Sequence, residues 1–290
     1  MNQPEYPEFK AVGLEDCDVI THYLEAYPSA VCEMNFPNIV IWKDSERPRY
    51  TFIEGNLCIA VEPTFEPAYF LPPLGSGAMD KTLAVCLAHT PRLSRVPEEF
   101  VRVHGGGFRI EEDRNNFDYI YRAEDLIELH GKKFDGKRNR IKKFETSFAH
   151  AYEPLEPRHV DACRALFLNW FGEKECPTPY LEAEREAILE ALKSFRELGF
   201  TGGVVTVDGR VEAFTLGTRL TADAAVIQIE IANPAFPGLA QWINREFVRR
   251  EWQAYGFINR EQDVGVPGLR RAKTSYHPDH LLAKFNLYAK

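Results

Sequence analysis

Two short stretches concentrate the residues from which chemistry could be built. The first, HGKKFDGKRNRIKKF (His130–Phe144), holds seven Lys or Arg between Lys132 and Lys143. On a helix, Phe134, Ile141, Phe144 and Phe148 share one apolar stripe, and Lys137 falls inside it. A lysine at such a position either snorkels out to water or meets an anionic group in the gap between two folded units. Arg138 borders the stripe and Asn139 follows it, so both join Lys137 as candidate anion or donor contacts. Arg140, Lys142 and Lys143 diverge and read as surface. The bland alternative for the whole stretch is a solvated basic helix face.

The second stretch, FINREQDVGVPGLRRAKTSYHP (Phe257–Pro278), packs polar groups directly after a short strand, and ligands often bind at the carboxyl ends of strands in α/β proteins. Arg270, Lys273 and His277 recur about one helical turn apart and suit a phosphate or carboxylate; Arg260 and Arg271 complete the basic set. The competing reading is an ion-pair network among Arg260, Glu261, Asp263 and Arg270 that pins the loop. In the strand Val226–Ile231, Glu230 faces opposite to Ile227, Ile229 and Ile231. It is a candidate general base, with solvent exposure as the alternative, and Tyr276 is a candidate general acid. The expectation is that cations from the mid-chain helix and the last short helix meet around one hollow. Gly75-Ser76-Gly77 precedes a helix and could present amides to an anion, whereas Gly105–Gly107 reads as a turn. No HExxH, paired-ligand or Ser-His-Asp pattern stands out among the eight histidines, so no metal is expected.

The elements that must position these residues are clearest in the second half. Val160, Cys163, Phe167 and Trp170 mark a helix after Pro157, and Leu181, Ile188, Leu192 and Phe195 a second, stopped by Gly199. Strands follow at 203–207 and 211–218 around Asp208-Gly209, a type I′ hairpin signal, and then at 224–231. Gly238 opens a helix carrying Leu239, Trp242, Ile243 and Phe247. A short strand at 257–259, a helix from Pro267 to about Ser275 and a strand at 281–287 complete the order. Two helices, three strands, helix, strand, helix, strand is the order of the GNAT acyltransferase fold. The first half reads similarly: a helix at 16–27, a hairpin of 50–53 and 57–61 around Glu54-Gly55-Asn56, a strand at 68–71, a helix at 79–88, and strands at 100–103 and 117–121. The fold class expected is therefore α/β (α+β): two tandem GNAT-like domains, 1–148 with the basic linker helix and 149–290, each a mixed, mostly antiparallel sheet flanked by helices.

Composition sets the limits. The chain has 290 residues, 44% of them hydrophobic, enough to fill two cores. No stretch approaches the ~20 apolar residues of a membrane span, and Met1–Lys10 lacks the basic and apolar regions of a signal peptide. Six cysteines, none at CxxC spacing, read as reduced thiols in a cytoplasmic protein. A net charge of −8 argues against broad, unspecific nucleic-acid binding but leaves room for a local basic strip.

DYIYRAEDLIELHGKKFDGKRNRIKKF and INREQDVGVPGLRRAKTSYHPDHLLAKFN together resemble the soluble relatives of the phosphatidylglycerol lysyltransferase C-terminal domain, and NFPNIVIWK and YFLPPLGSG are similar to the same family. The resemblance covers nearly the whole chain. It implies tandem GNAT-like domains and an acyl-group transferase, with an aminoacyl group passing from charged tRNA to an amine or hydroxyl acceptor. Membrane members of the family use a lipid headgroup as acceptor. GLRRAK (Gly268–Lys273) looks like the C-terminal basic motif of related transferases that use aminoacyl-tRNA. Membrane members carry many transmembrane helices, which this sequence lacks, so a small-molecule acceptor stands beside a lipid headgroup. Coenzyme A enzymes of this fold place a glycine-rich amide cradle where this chain reads IANPAFPGLA (Ile231–Ala240), in which Pro234 and Pro237 lack an amide proton. Acyl-coenzyme A, as in an N-acetyltransferase, therefore ranks behind charged tRNA as donor, and no resident cofactor is expected. A different class of function, a non-catalytic sensor for an anionic metabolite, uses the same cations.

Overall fold

The computed structural model describes residues 3–172 and 179–290; Cys176 lies outside them. In chain order the first strands are β1 (Lys10–Ala11), β2 (Arg49–Ile53), β3 (Asn56–Val61), β4 (Tyr69–Phe70), β5 (Leu93–Pro97), β6 (Arg109–Glu112) and β7 (Asp118–Arg122). They are followed by β8 (His150–Pro154), β9 (Thr201–Val207), β10 (Arg210–Arg219), β11 (Ala224–Ala232), β12 (Phe257–Asn259), β13 (His280–Leu282) and β14 (Lys284–Tyr288). The helices before the mid-chain are α1 (Cys17–Ala26), α2 (Phe36–Ile41), α3 (Lys43–Glu46), α4 (Met79–His89), α5 (Glu98–His104), α6 (Ala123–Glu128) and α7 (Asp135–Ser147). After it come α8 (Pro157–Gly172), α9 (Pro179–Lys193), α10 (Leu239–Phe247) and α11 (Pro267–Thr274).

Two seven-stranded sheets result, ordered β1-β2-β3-β4-β5-β14-β6 and β13-β7-β12-β11-β10-β9-β8. Both are mixed and mostly antiparallel, with β4–β5 and β11–β12 as parallel pairs. The chain divides into two units: Met1–Asp118, Gln262–Gly265 and Leu281–Lys290, and Tyr119–Glu261 and Val266–His280. The sequence put the division at 148/149, whereas here the chain changes unit at 118/119. Hydrogen bonding explains the difference. β7 pairs with β12 through Ile258↔Tyr121, which commits the chain from Tyr119 onward to the second unit. The end of the chain, read as one strand over 281–287, is two: β13 joins the second sheet, and β14 pairs with β5 and β6 in the first.

From α8 to α11 the second unit has the anticipated order, preceded by β7, α6, α7 and β8. The Asp208-Gly209 turn has φ of 49° and 78°, the pair of positive values a type I′ hairpin needs. Residues 100–103, read as a strand, belong to helix α5. Pro97 at its N-cap and Glu98 and Glu99 in its first turn favour a helix start, and the strand lies just before, at 93–97. On α7, Phe134, Ile141 and Phe144 are buried as the stripe required. The Phe144 ring lies 5.9 Å from that of Trp242 on α10, and the Trp242 indole N–H donates to Glu145 at 3.0 Å.

The first unit centres on Ile53, Cys58, Phe70, Leu83, Cys86, Leu93, Val96 and Leu287. Beside this apolar core sits a buried lysine. Lys284 is 0% exposed and its ammonium reaches Asp118 at 2.7 Å and Glu33 at 2.5 Å. Burial alone would strip its proton, but these carboxylates and the nearby Cys32 raise its pKa well above that of a free lysine. Removing one partner of such a pair leaves charge stranded in low dielectric. Lys284→Met is therefore expected to cost about 3–5 kcal/mol, read as a lower midpoint in urea denaturation with unchanged slope.

Candidate functional site

Strands β11 and β12 pair only over Ala224↔Phe257, Ala225↔Ile258 and Val226↔Asn259. Beyond that point β11 runs on to Ala232 while β12 ends, so the sheet opens along one side of β11. Glu230 stands in this opening on β11, and Arg260 is the first residue after β12. Arg260 Nη2 donates to Glu230 Oε1 at 3.1 Å, and Asn244 Nδ2 of α10 donates to the other oxygen, Oε2, at 2.7 Å. The carboxylate, 17% exposed, is thus held by a cation and an amide at once. The guanidinium carbon lies 4.8 Å from the Tyr276 ring centre and 5.7 Å from that of Tyr121, so two aromatic faces also bind it. The guanidinium also hydrogen-bonds the Tyr276 side chain, while the buried Nη1 has no partner in bonding geometry among the described residues.

Lys137 of α7 approaches from across this group. Its Nζ lies 3.8 Å from the Tyr276 ring centre and donates to Ser275 Oγ at 2.6 Å. Burial first, and then the charges of Arg260 and Arg140, lower the amine pKa to about 8 against a weaker upward pull from Glu230. At pH 7 about a tenth of this lysine is therefore the free amine, far more than for a lysine in water. Burial pushes the Tyr276 hydroxyl well above the usual tyrosine value, with Arg260 opposing, so it stays protonated. The Tyr121 hydroxyl donates to the Lys273 carbonyl at 2.8 Å and ties α11 to β7.

The sequence candidates thus separate into groups. Lys137, Glu230, Arg260 and Tyr276 come together. Lys273 turns back to the Arg260 carbonyl, with the Glu261 carbonyl at 3.4 Å, and shapes the loop that presents Arg260. The His277 ring meets the Lys133 carbonyl at 3.2 Å and stands edge-on to Phe134. Arg138 bonds the carbonyls of Leu129 and Gly131 and the carboxylate of Asp135, closing the turn before its own helix. Asn139 and Arg271 are exposed, and Arg270 is half-buried on α11. Ser76 and its flanking glycines lie in the first unit, where the Gly77 amide donates to Asn56 Oδ1 at 2.9 Å. A Cβ on Gly77 would stand 1.8 Å from the Glu54 carbonyl oxygen, so that glycine lets the loop lie against the β2–β3 turn. Asn244, Ser275 and Tyr121 were missed by sequence reading. Asn244 could have been suspected as a polar residue between Ile243 and Phe247 on an apolar helix; the other two carry no local signal. Arg140, read as surface, is exposed yet near enough to act on Lys137 and Tyr276.

Two further features bear on donors and metals. A Cβ on Gly238, at φ 100°, would lie 2.2 Å from the Arg140 carbonyl oxygen. The backbone of α7 thus occupies the space before the first turn of α10, where amides would otherwise cradle a diphosphate. In the first unit, Cys32, Glu33 and Asp118 bring potential ligand atoms within 4.8 Å of one another. The Lys284 ammonium sits among them, 3.6 Å from the Cys32 sulfur, and supplies the positive charge a metal ion would bring. A separate pocket of about 740 Å³ opens between α8 and the β9–β10 hairpin, lined by His159, Leu166, Trp170, Arg210 and Glu212 among others. None of the candidates above reaches it.

A family model described as phosphatidylglycerol lysyltransferase, C-terminal, matches residues 24–288. A conserved protein of unknown function from Bacteroides thetaiotaomicron shares 30% identity and a TM-score of 0.89, over 97% of this chain and 99% of that one. L-PGS from Bacillus licheniformis superposes with a TM-score of 0.66 at 15% identity, over 100% of this chain and 94% of the other. An uncharacterized protein of Mycoplasmoides gallisepticum is 21% identical over 184 residues, 61% of this chain; the match spans about half, 56%, of that curated relative's length. The fold is mixed α/β, two tandem GNAT-like units.

The Glu230 carboxylate acts against the lowering of the Lys137 pKa. Glu230→Gln should move that pKa below its present value of about 8, readable by NMR titration of the Lys137 ε-methylene. The same variant leaves Arg260 buried without its counter-charge and should unfold at lower denaturant than the parent.

Proposed function

Because the chain belongs to the phosphatidylglycerol lysyltransferase C-terminal family, whose members and fold relatives are acyltransferase-like, we propose that its second unit transfers an aminoacyl group from charged tRNA to an amine or hydroxyl acceptor. The observation that carries this reading is the amine of Lys137, partly unprotonated near neutral pH, in the same cluster as a buried guanidinium N–H with no partner among the described residues. An aminoacyl ester is already activated, so catalysis needs an acceptor held in place, a base for its proton and a donor for the oxyanion.

In this assignment Lys137 takes the proton as the acceptor nitrogen or oxygen bonds to the ester carbonyl carbon. Arg260 Nη1 donates to the oxyanion that forms. The carbon–oxygen bond to the tRNA ribose then breaks, and the ribose oxygen regains a proton from the Lys137 ammonium. Glu230 serves better as the group that fixes Arg260 than as the base, because both its oxygens already accept hydrogen bonds. Tyr276, kept protonated by burial, is a wall and hydrogen-bond donor. Arg270 and Arg271 on α11 suit the phosphates of the tRNA 3′ end. An ester donor is favoured over acyl-coenzyme A because α7 lies in front of the α10 N-terminus. For the acceptor, the family supports a lipid headgroup, and the lack of any helix long and apolar enough to cross a membrane among the described residues supports a small molecule beside it.

The test is incubation with charged tRNA mixtures and an acceptor panel, with acyl-coenzyme A in parallel. Transfer should follow the free amine of Lys137: the rate should rise with pH and level off above about 8. Lys137→Met should lower it by about 10²-fold or more, and Lys137→Arg should not restore it. Retention of every acyl group across the panel would remove the proposal. Tight binding of a small anion without turnover would instead identify a sensor.

A further inference from the structure

Strand β6 ends the first sheet and pairs with β14 alone. All four of its residues, Arg109, Ile110, Glu111 and Glu112, are exposed. The next amide, that of Asp113, donates to the Lys284 carbonyl at 2.9 Å. Antiparallel pairs alternate, so the backbone groups of Arg109 and Glu111 also face β14, and those of Ile110 and Glu112 face outward. Among the described residues these outward groups have no backbone partner.

We propose that this edge binds the same edge of a second copy, antiparallel, across a twofold axis at Ile110. Outward residues must pair with outward residues; a twofold centre at Arg109 would set the two Arg109 side chains against each other, which leaves three twofold registers, centred on Ile110, Glu111 or Glu112. The second sets Glu111 against the partner's Glu111, and the third sets Glu111 against the partner's Asp113; both oppose like charges. The first sets Arg109 against the partner's Glu111 twice. It does so at positions that are not hydrogen-bonded across the junction, where facing side chains approach most closely. The charge pattern therefore selects one register.

Two observations prepare this junction. Arg109 lies 4.1 Å over the Tyr288 ring and pairs with Glu111 of its own chain, so its guanidinium is already held on that face of the strand. On the opposite face stands apolar surface with nothing over it. Ile110 is 40% exposed, and Val103, near the end of α5, is 65% exposed. Ile110 Cδ1 reaches to within 3.0 Å of where a Cβ on Gly105 would lie, which places it beside the end of α5. Pairing would cover Ile110 with its own symmetry mate. A four-residue edge falls short of the ~1,200 Å² typical of a stable interface, so association is weak and concentration-dependent.

Sedimentation velocity from micromolar to near-millimolar protein tests this. The weight-average mass should rise from 33.2 kDa toward twice that value. R109E or E111R alone opposes like charges and should hold the mass at the monomer, while R109E with E111R restores the opposed pairs and the rise. I110P removes the outward amide at the axis without touching the β14 ladder and should abolish association, with circular dichroism confirming the fold; should I110P not fold, the charge reversals decide. A wild type that stays monomeric at every concentration overturns the proposal, as it would if the edge served an extended peptide of another protein. A mass increase that survives the single reversals, or that the paired reversal fails to recover, overturns it equally.

Discussion

A guanidinium taken out of water must be matched, and the second unit is organised around that requirement. Arg260 follows directly on β12, and its burial is tolerable because Glu230 supplies a carboxylate at 3.1 Å and two tyrosine rings lie alongside. Each partner comes from a different element: β11, β7 and the segment after α11. One residue's charge therefore ties together strands and loops that share no local sequence. Asn244 adds α10 by filling the second carboxylate oxygen. The match is incomplete, however, since Nη1 is left without a partner among the described residues. An unmet donor in the same cluster as a lysine of lowered basicity is the feature on which the proposed transfer rests.

The two units handle buried positive charge in opposite ways. Lys284 in the first is met by Asp118, Glu33 and the Cys32 sulfur, and its proton is held more tightly than in water. Lys137 in the second has a serine hydroxyl and an aromatic face, with no carboxylate in contact among the described residues, and it has cations nearby. The outcome is a loosely held proton. Desolvation acts on both lysines, and the surrounding charges decide the sign of the final shift.

Helix α7 has a double part in this arrangement. Its apolar stripe packs against α10 through Phe144 and Trp242, which fixes the point from which Lys137 reaches Tyr276. The same close packing brings the Arg140 carbonyl onto Gly238, so α7 fills the space before the α10 N-terminus. The contact that positions the amine thus also sets the α7 backbone against Gly238 at that helix end.

Periodicity in the sequence was enough to find helices α8 to α11 and strands β9 to β12, the type I′ turn at Asp208-Gly209, and the odd placement of Lys137 within an apolar stripe. These are local properties, set by side-chain spacing and backbone preference. Local signals also grouped Lys137, Glu230, Arg260 and Tyr276 among many candidates without separating them from Arg138, which closes a turn, or from the Gly75–Gly77 loop, which lies on a hairpin. The division of the chain at 118/119, the return of β14 to the first sheet and the meeting of Asn244 with Glu230 were decided by tertiary structure alone. Strand pairing and ion pairing between distant residues depend on which backbones come together, and residue spacing carries no record of that.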